Sequence, residues 1–481
     1  MVQNFKKNYN LFIFVYIIIV VLFVSFSFFQ VLLKGGYYPV YEDEMIYYNS
    51  AKLFMETNST KAFSCINEQR SAVGEYNWYG PSYHIIYGGI AKLFGFNQNM
   101  FIVFNYILFI LTISISFLIN TTLRNKLLFT AIFISSYSAF TYLFSYFPES
   151  LQIFLTIILL VLYSRIEISK KYYYTFIGLV ILFSLIRYST VFWIFSILFV
   201  ENIKQTLRGR ILLSFLVFSL VIIWFKLFTA PAYVVGLKDV HGTANMGIIG
   251  IIKSAIINGY KNFILFFNKG NFQMISVLLI FIVVSYNFTI KKINKNSSIF
   301  GLFIICVLAF LVFIFFYTAL PVYFEKQTMF IFPILIYCLI KTEYNLKLLL
   351  MISIFLFLPF SYFKMEENKH LRNKSSILLK NNIKLQKDLE TVFNGICIKE
   401  NKAVINVFLQ YNDFSELFIN YLGSLPVSKG KIPVLYSVNL NEKIKFYNKI
   451  KLDFIISKHY LKNRRAKLIK KGDYYYLYKV I

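Results

Sequence analysis

Three consecutive carboxylates, Glu42-Asp43-Glu44, follow the first long apolar stretch of the chain and precede Met45-Ile46-Tyr47-Tyr48. Adjacent carboxylates beside a low-dielectric wall hold protons more tightly than in water, which suits a base that takes the proton of an attacking hydroxyl. A plainer role is open to the same residues, because acids are favoured in the first turn of a helix. Three further charges stand at the ends of apolar segments: Glu149 in Tyr146-Phe147-Pro148-Glu149-Ser150, Arg187 in Leu185-Ile186-Arg187-Tyr188, and Lys326 in Phe324-Glu325-Lys326-Gln327. Burying such a group is costly without a partner, so each is a candidate site residue. Arg187 suits a phosphate or a carboxylate, or it snorkels to lipid headgroups. Glu149 can bind an acceptor or a metal, or act as an ordinary first-turn acid after a proline. Lys326 can meet a phosphate or pair with Glu325.

Other chemistries find no footing in the sequence. There is no Gly-x-Ser-x-Gly elbow, the four histidines are scattered, and His241 has no cluster of metal-ligating residues around it. Cys306 and Cys338 fall in apolar segments, while Cys65 and Cys397 share no informative spacing, so free thiols are expected. The charge of +28 is strongly basic, yet no phosphate-binding glycine loop or nucleic-acid module accompanies it, and no nucleic-acid partner is expected.

The elements that must position these residues are set by composition. Hydrophobic residues make up 58% of the chain and aromatics 20%, and the mean hydropathy is +0.62, well beyond what a soluble core requires. The apolar runs match the roughly 20 residues a helix needs to cross a bilayer, which predicts an α-helical polytopic membrane protein of about eleven spans. They fall near 10–33, 99–120, 127–147, 149–164, 172–186, 188–201, 211–229, 272–290, 299–317, 326–341 and 348–363. With the N-terminus inside, Lys6/Lys7, Arg124/Lys126, Arg165/Lys170/Lys171, Lys204/Arg208/Arg210, Lys291/Lys292/Lys295 and Lys341/Lys347 all share the cytoplasmic side. The loops 34–98 and 230–271 and the tail from 364 are then expected outside, in a multi-pass plasma-membrane protein whose first span is retained as an anchor.

Within the first outer loop, Glu44–Met55 and residues 83–94 read as amphipathic helices along the membrane face, separated by Gly80-Pro81. The expected division is a membrane domain, 1–363, and a small extracytoplasmic α/β domain, 364–481. Helices are expected over 375–393, 413–422 and 441–449, and strands over 403–409, 433–436, 453–456 and 474–480. The basic run Lys458–Lys471 suits anionic headgroups, an acidic glycan or plain solvent.

A long first span, then Asp43-Glu44 with Tyr47, Ala51 and Leu53, then Trp78-Tyr79-Gly80-Pro81-Ser82-Tyr83, then Lys92-Leu93-Phe94-Gly95, resembles the amino-terminal half of GT-C glycosyltransferases. That superfamily includes protein O-mannosyltransferases and aminoarabinose transferases; where many relatives read Pro-Pro-Leu, this chain has Gly80-Pro81-Ser82. The resemblance implies a membrane transferase that takes a sugar from a polyprenyl-phosphate donor to a lipid- or glycan-linked acceptor, in cell-envelope polysaccharide or glycoconjugate synthesis. It makes Asp43 the catalytic carboxylate with Glu44 beside it, Arg187 and Lys326 the donor-phosphate partners, and Glu149 an acceptor or metal ligand. Tyr47, Trp78, Tyr79 and His84 are then expected to line the substrate path, and a divalent cation is the one cofactor left open. Two alternatives stand: a polysaccharide polymerase of the O-antigen type, and a flippase or exporter of lipid-linked sugars, although no internal repeat of the transporter kind is visible.

Overall fold

The computed structural model describes residues 2–33, 42–66, 70–76, 80–97, 99–135, 139, 142–200, 205–229, 248–268, 272–290, 298–316, 330–342, 404–409, 432–437, 454–457, 460, 466–472 and 476–480. They are predominantly helical, and the chain divides into two compact units.

The first unit comprises 1–36, 101–227 and 233–367. Its helices are α1 (Val2–Leu33), α4 (Met100–Ser116), α5 (Leu123–Ile134), α6 (Glu149–Tyr163), α7 (Lys170–Ile186), a 3₁₀ helix (Tyr188–Phe199), α8 (Leu207–Phe228), α9 (Ile248–Asn268), α10 (Phe272–Ile290), α11 (Ser298–Phe316) and α12 (Ile331–Lys341). The eleven-residue α12 is buried all round, from Ile331 to Ile340. A helix with no polar stripe has no face to give to water, and here α5, α6, α10 and α11 pack around it. At the other extreme, α1 and α8 leave large apolar side chains in the open, among them Leu11, Phe12, Phe26, Leu212, Phe215 and Leu220. Tyr9–Leu33 and Leu207–Phe228 are each long and apolar enough to cross a membrane, whereas α4, α6 and the 3₁₀ helix are shorter apolar segments. The expectation of about eleven full-length spans is therefore shown only in this coarser form.

Several expected boundaries move. The span read as 127–147 ends at Ile134, and Tyr142–Phe147 is a run of turns and bends. The span 188–201 is a twelve-residue 3₁₀ helix, packed on α7 and α11, and a Cβ on Gly301 would meet the Phe199 Cβ at 2.9 Å. Arg210 of α8 caps its far end, donating Nη1 to the carbonyls of Ile197 and Leu198 at 3.1 Å and to that of Val200. The stretch 230–271, read as an outer loop, contains the 21-residue α9. The expected span 348–363 and the helices over 375–393, 413–422 and 441–449 lie outside the described residues.

The second unit comprises 37–100, 228–232 and 368–481, so the first outer loop belongs with the tail rather than with the membrane domain. Both expected loop helices are present as α2 (Glu42–Thr57) and α3 (Ser82–Phe94). They approach closely because Gly88 has no side chain: a Cβ there would stand 2.6 Å from the Ala51 carbonyl oxygen. Between them runs a hairpin that the sequence did not announce, β1 (Ala62–Ile66) and β2 (Arg70–Glu75). It continues into the tail, where β3 (Val404–Leu409), β4 (Ile432–Ser437), β5 (Phe454–Ser457), β6 (Ala466–Lys471) and β7 (Tyr476–Val480) complete one sheet of order β1-β2-β4-β3-β5-β7-β6. The centre, β4-β3-β5, is parallel and the flanks are antiparallel. Strands β3, β4, β5 and β7 fall where the sequence placed them, and β6 occupies part of the basic run.

Candidate functional site

The first turn of α6 carries a buried ionic contact in the first unit. Pro148 occupies the N-cap and Glu149 the first helical position, where a carboxylate faces the positive end of the helix dipole. Arg187 caps the C-terminus of α7 in an extended conformation, its N–H bonded to the Phe183 carbonyl. Its Nη2 donates to Glu149 Oε1 at 3.2 Å, with the two side chains 7% and 1% exposed. Of the partners open to Arg187, the structure supplies the carboxylate.

One turn along α6, Gln152 Nε2 donates to Ser189 Oγ at 3.0 Å, and both residues are buried. Glu149 with Gln152 on α6 therefore faces Arg187 with Ser189 at the junction of α7 and the 3₁₀ helix, forming a polar seam in an apolar bundle. Gln152 and Ser189 were missed in the sequence, although Gln152 stands three residues after Glu149, the spacing that puts two side chains on one helix face.

The approach to Glu149 is held by a third buried residue without charge. Asn105 of α4 donates Nδ2 to the Ser145 carbonyl at 2.8 Å and reaches the Tyr142 and Phe147 carbonyls at 3.4 and 3.5 Å. These bonds reach carbonyls of Tyr142–Phe147, where a continuous span was expected and turns and bends are found. Ser150 Oγ adds a bond to the Tyr142 carbonyl at 3.3 Å, and Phe101 packs its ring against Tyr146.

The opposite ends of the same helices gather several of the basic residues that the sequence placed inside. Arg165 Nη2 donates to the Leu118 carbonyl at 2.9 Å and Lys341 Nζ to the Asn120 carbonyl at 3.0 Å. The Asn120 N–H bonds Ser164 Oγ, just past the end of α6. Since α6 runs from Glu149 to Tyr163, the Glu149–Arg187 pair and this basic end are separated by the length of the helix, about 1.5 Å per residue.

In the second unit, Glu42, Asp43 and Glu44 open α2. Glu44 is fully buried, while the side chains of Glu42 and Asp43 lie outside the described residues. Tyr47 is buried edge-to-face against Tyr83, at 4.5 Å between ring centroids. Burial pushes the Tyr48 hydroxyl up to about 12, so it stays protonated. His84 is fully buried on α3; Nε2 donates to the Thr60 carbonyl at 2.8 Å, which leaves Nδ1 the acceptor, with no hydrogen-bond partner among the described residues. Burial lowers the imidazole to about 4, and the Thr60 bond offsets part of that shift. Tyr47 and His84 thus pack inside the loop unit. Trp78, Tyr79 and Lys326 lie outside the described residues, and so does His241.

Among the described residues no three His, Cys, Asp or Glu side chains group to hold a metal ion. The guanidinium against Glu149 opposes a second cation there, so that carboxylate does not fit a divalent ion. Cys306 and Cys338 are free buried thiols.

The fold and these residues define a predominantly helical protein with membrane-length apolar helices, a buried acid–guanidinium pair and a mixed sheet. No family model, curated protein or solved structure matches the chain.

Proposed function

We propose that this protein is a multi-pass membrane glycosyltransferase of the GT-C type, moving a sugar from a polyprenyl-phosphate donor to a lipid- or glycan-linked acceptor on the outer face of the plasma membrane. The observation that carries this is the buried Glu149–Arg187 pair at the end of the bundle opposite the Leu118–Asn120 turn, where Arg165 and Lys341 gather. Under the positive-inside rule the basic end is cytoplasmic and the pair lies at the outer boundary, where a lipid phosphate resides.

The sheet gives the topology independent support. Strand β2 lies before α4 and β4 lies beyond α12, yet they pair in register, Arg70 with Tyr436 and Ser71 with Leu435. Hydrogen-bonded strands occupy the same side of a membrane, so the chain between them crosses an even number of times, as the proposed spans do. The first loop and the tail thus share one compartment, which the basic-loop count makes the outer one.

In the proposed reaction Asp43 takes the acceptor hydroxyl proton as that oxygen attacks the anomeric carbon. The bond from the anomeric carbon to the phosphate oxygen breaks, and the polyprenyl phosphate leaves with the negative charge. Glu149 holds the Arg187 guanidinium in place and Glu44 sets the carboxylate environment beside Asp43. Replacing Asp43 by Asn in a strain lacking the wild-type gene tests this: lipid-linked sugar intermediates seen by mass spectrometry should accumulate as in the deletion, with normal protein levels. Full restoration of transfer by Asp43→Asn would sink the proposal.

A further inference from the structure

The described middle of helix α9 is built inside out. There the buried side is polar or small: Asn258 and Asn262 are 7% and 6% exposed, and Gly259 lies between them. The exposed side carries Ile252, Ile256, Ile257 and Tyr260, at 55, 61, 42 and 67%, together with exposed Lys253 and Lys261. A helix facing water shows the reverse arrangement, whereas small and amide residues turned to a neighbour and aliphatic ones turned outward fit a lipid environment.

The partner inside the protein fixes where α9 sits on the bundle. Asn262 Nδ2 donates to the Ile314 carbonyl at 2.7 Å, and a Cβ on Gly259 would come within 2.6 Å of the Phe315 ring. Those contacts come from the middle of α9 and fall in the last turn of α11. Helix α11 starts just after Lys291, Lys292 and Lys295, so under the proposed topology its last turn is the outer end. With the ten spans proposed between β2 and β4, a crossing by α9 would make the number of passages odd, against the pairing of those strands.

We infer that α9 is a surface-lying helix that docks on the outer leaflet, its isoleucines and Tyr260 entering the headgroup–acyl boundary while Lys253 and Lys261 meet anionic phospholipid headgroups. At 21 residues it spans about 31 Å along the surface. Its apolar side buries in lipid to a depth of roughly 5–10 Å. This rests on the multi-pass reading above and not on sugar transfer.

The test uses the full chain in vesicles of phosphatidylcholine and phosphatidylglycerol carrying bromine either high or deep on the acyl chains. Tyr260→Trp adds one reporter to the native Trp78, Trp193 and Trp224, read as a difference from wild type. The exposed Leu216 of α8, as Leu216→Trp, supplies a control within the bilayer. Shallow bromine is expected to quench the Tyr260→Trp signal about twofold more than deep bromine. The control should show the opposite order, and an impermeant amine reagent applied to intact cells should modify Lys253 and Lys261. Quenching by aqueous acrylamide with none by either bromolipid would make α9 a solvated loop helix. Stronger quenching by deep bromine would make it a span, protection of both lysines would place it on the inner side, and each of these overturns the inference. Failure of the Leu216→Trp control to sense bromine removes the multi-pass reading and the inference together, while loss of transfer in Asp43→Asn is scored separately.

Discussion

Arg187 Nη2 donates to Glu149 Oε1 across 3.2 Å, tying the C-terminal cap of α7 to the first turn of α6 where neither side chain has more than 7% exposure. A buried ion pair loses hydration on both charges, so its worth lies less in net attraction than in the penalty for leaving one member alone.

Removing one charge should therefore hurt more than removing both. Glu149→Gln or Arg187→Met alone is expected to cost about 3–5 kcal/mol, with the double variant recovering part of the loss. Thermal unfolding in detergent, arranged as a double-mutant cycle, measures the coupling. Strictly additive losses would show that the two groups do not act as a unit.

Asn105 predicts a positional effect at a distance from any charge. Asn105→Leu keeps the volume but strips the donor from the Tyr142, Ser145 and Phe147 carbonyls. The expected loss is about 1–3 kcal/mol, chiefly from the 2.8 Å bond to the buried Ser145 carbonyl. If that segment positions Glu149, Asn105→Leu should also lower transfer at equal protein level, whereas the exposed-site change Leu212→Ala should not.

Gly88 marks the closest approach of α2 and α3. Gly88→Ala forces a Cβ to within 2.6 Å of the Ala51 carbonyl oxygen and 2.8 Å of the Phe54 ring, and a backbone atom cannot swing aside as a side-chain tip can. Overpacking of this kind costs about 1–3 kcal/mol. Limited proteolysis of the loop between α1 and α4 should accelerate, and an unchanged rate would contradict the packing.

His84 gives the loop unit an acid-sensitive contact. Its folded value of about 4 lies below the ordinary imidazole value of about 6.5. The unfolded chain thus binds the extra proton first as pH falls. Stability is whole above pH 6.5 and declines between there and about pH 4, by up to ~3 kcal/mol at 1.36 kcal/mol per unit. Melting temperatures across that window should fall more steeply for wild type than for His84→Gln, which keeps a donor for the Thr60 carbonyl. Parallel curves would refute it.

Among the described residues the sequence by itself determined the class of most elements, because length and apolar periodicity are local properties. It placed α2, α3, α6 and α7, the tail strands β3, β4, β5 and β7, and the positions of Glu149 and Arg187 at helix ends, to within a few residues. Tertiary structure decided what periodicity does not carry: which residues far apart in the chain meet. Arg187 chose Glu149, thirty-eight positions away, because the pairing cancels two charges inside an apolar bundle. Asn105 on α4 bonds the backbone of Tyr142–Phe147, where the sequence had placed a continuous helix. The hairpin β1–β2, written in a loop with little strand pattern, became sheet because β4 from the far end of the chain supplied a ladder of backbone partners, and edges gain their bonds only from such a neighbour.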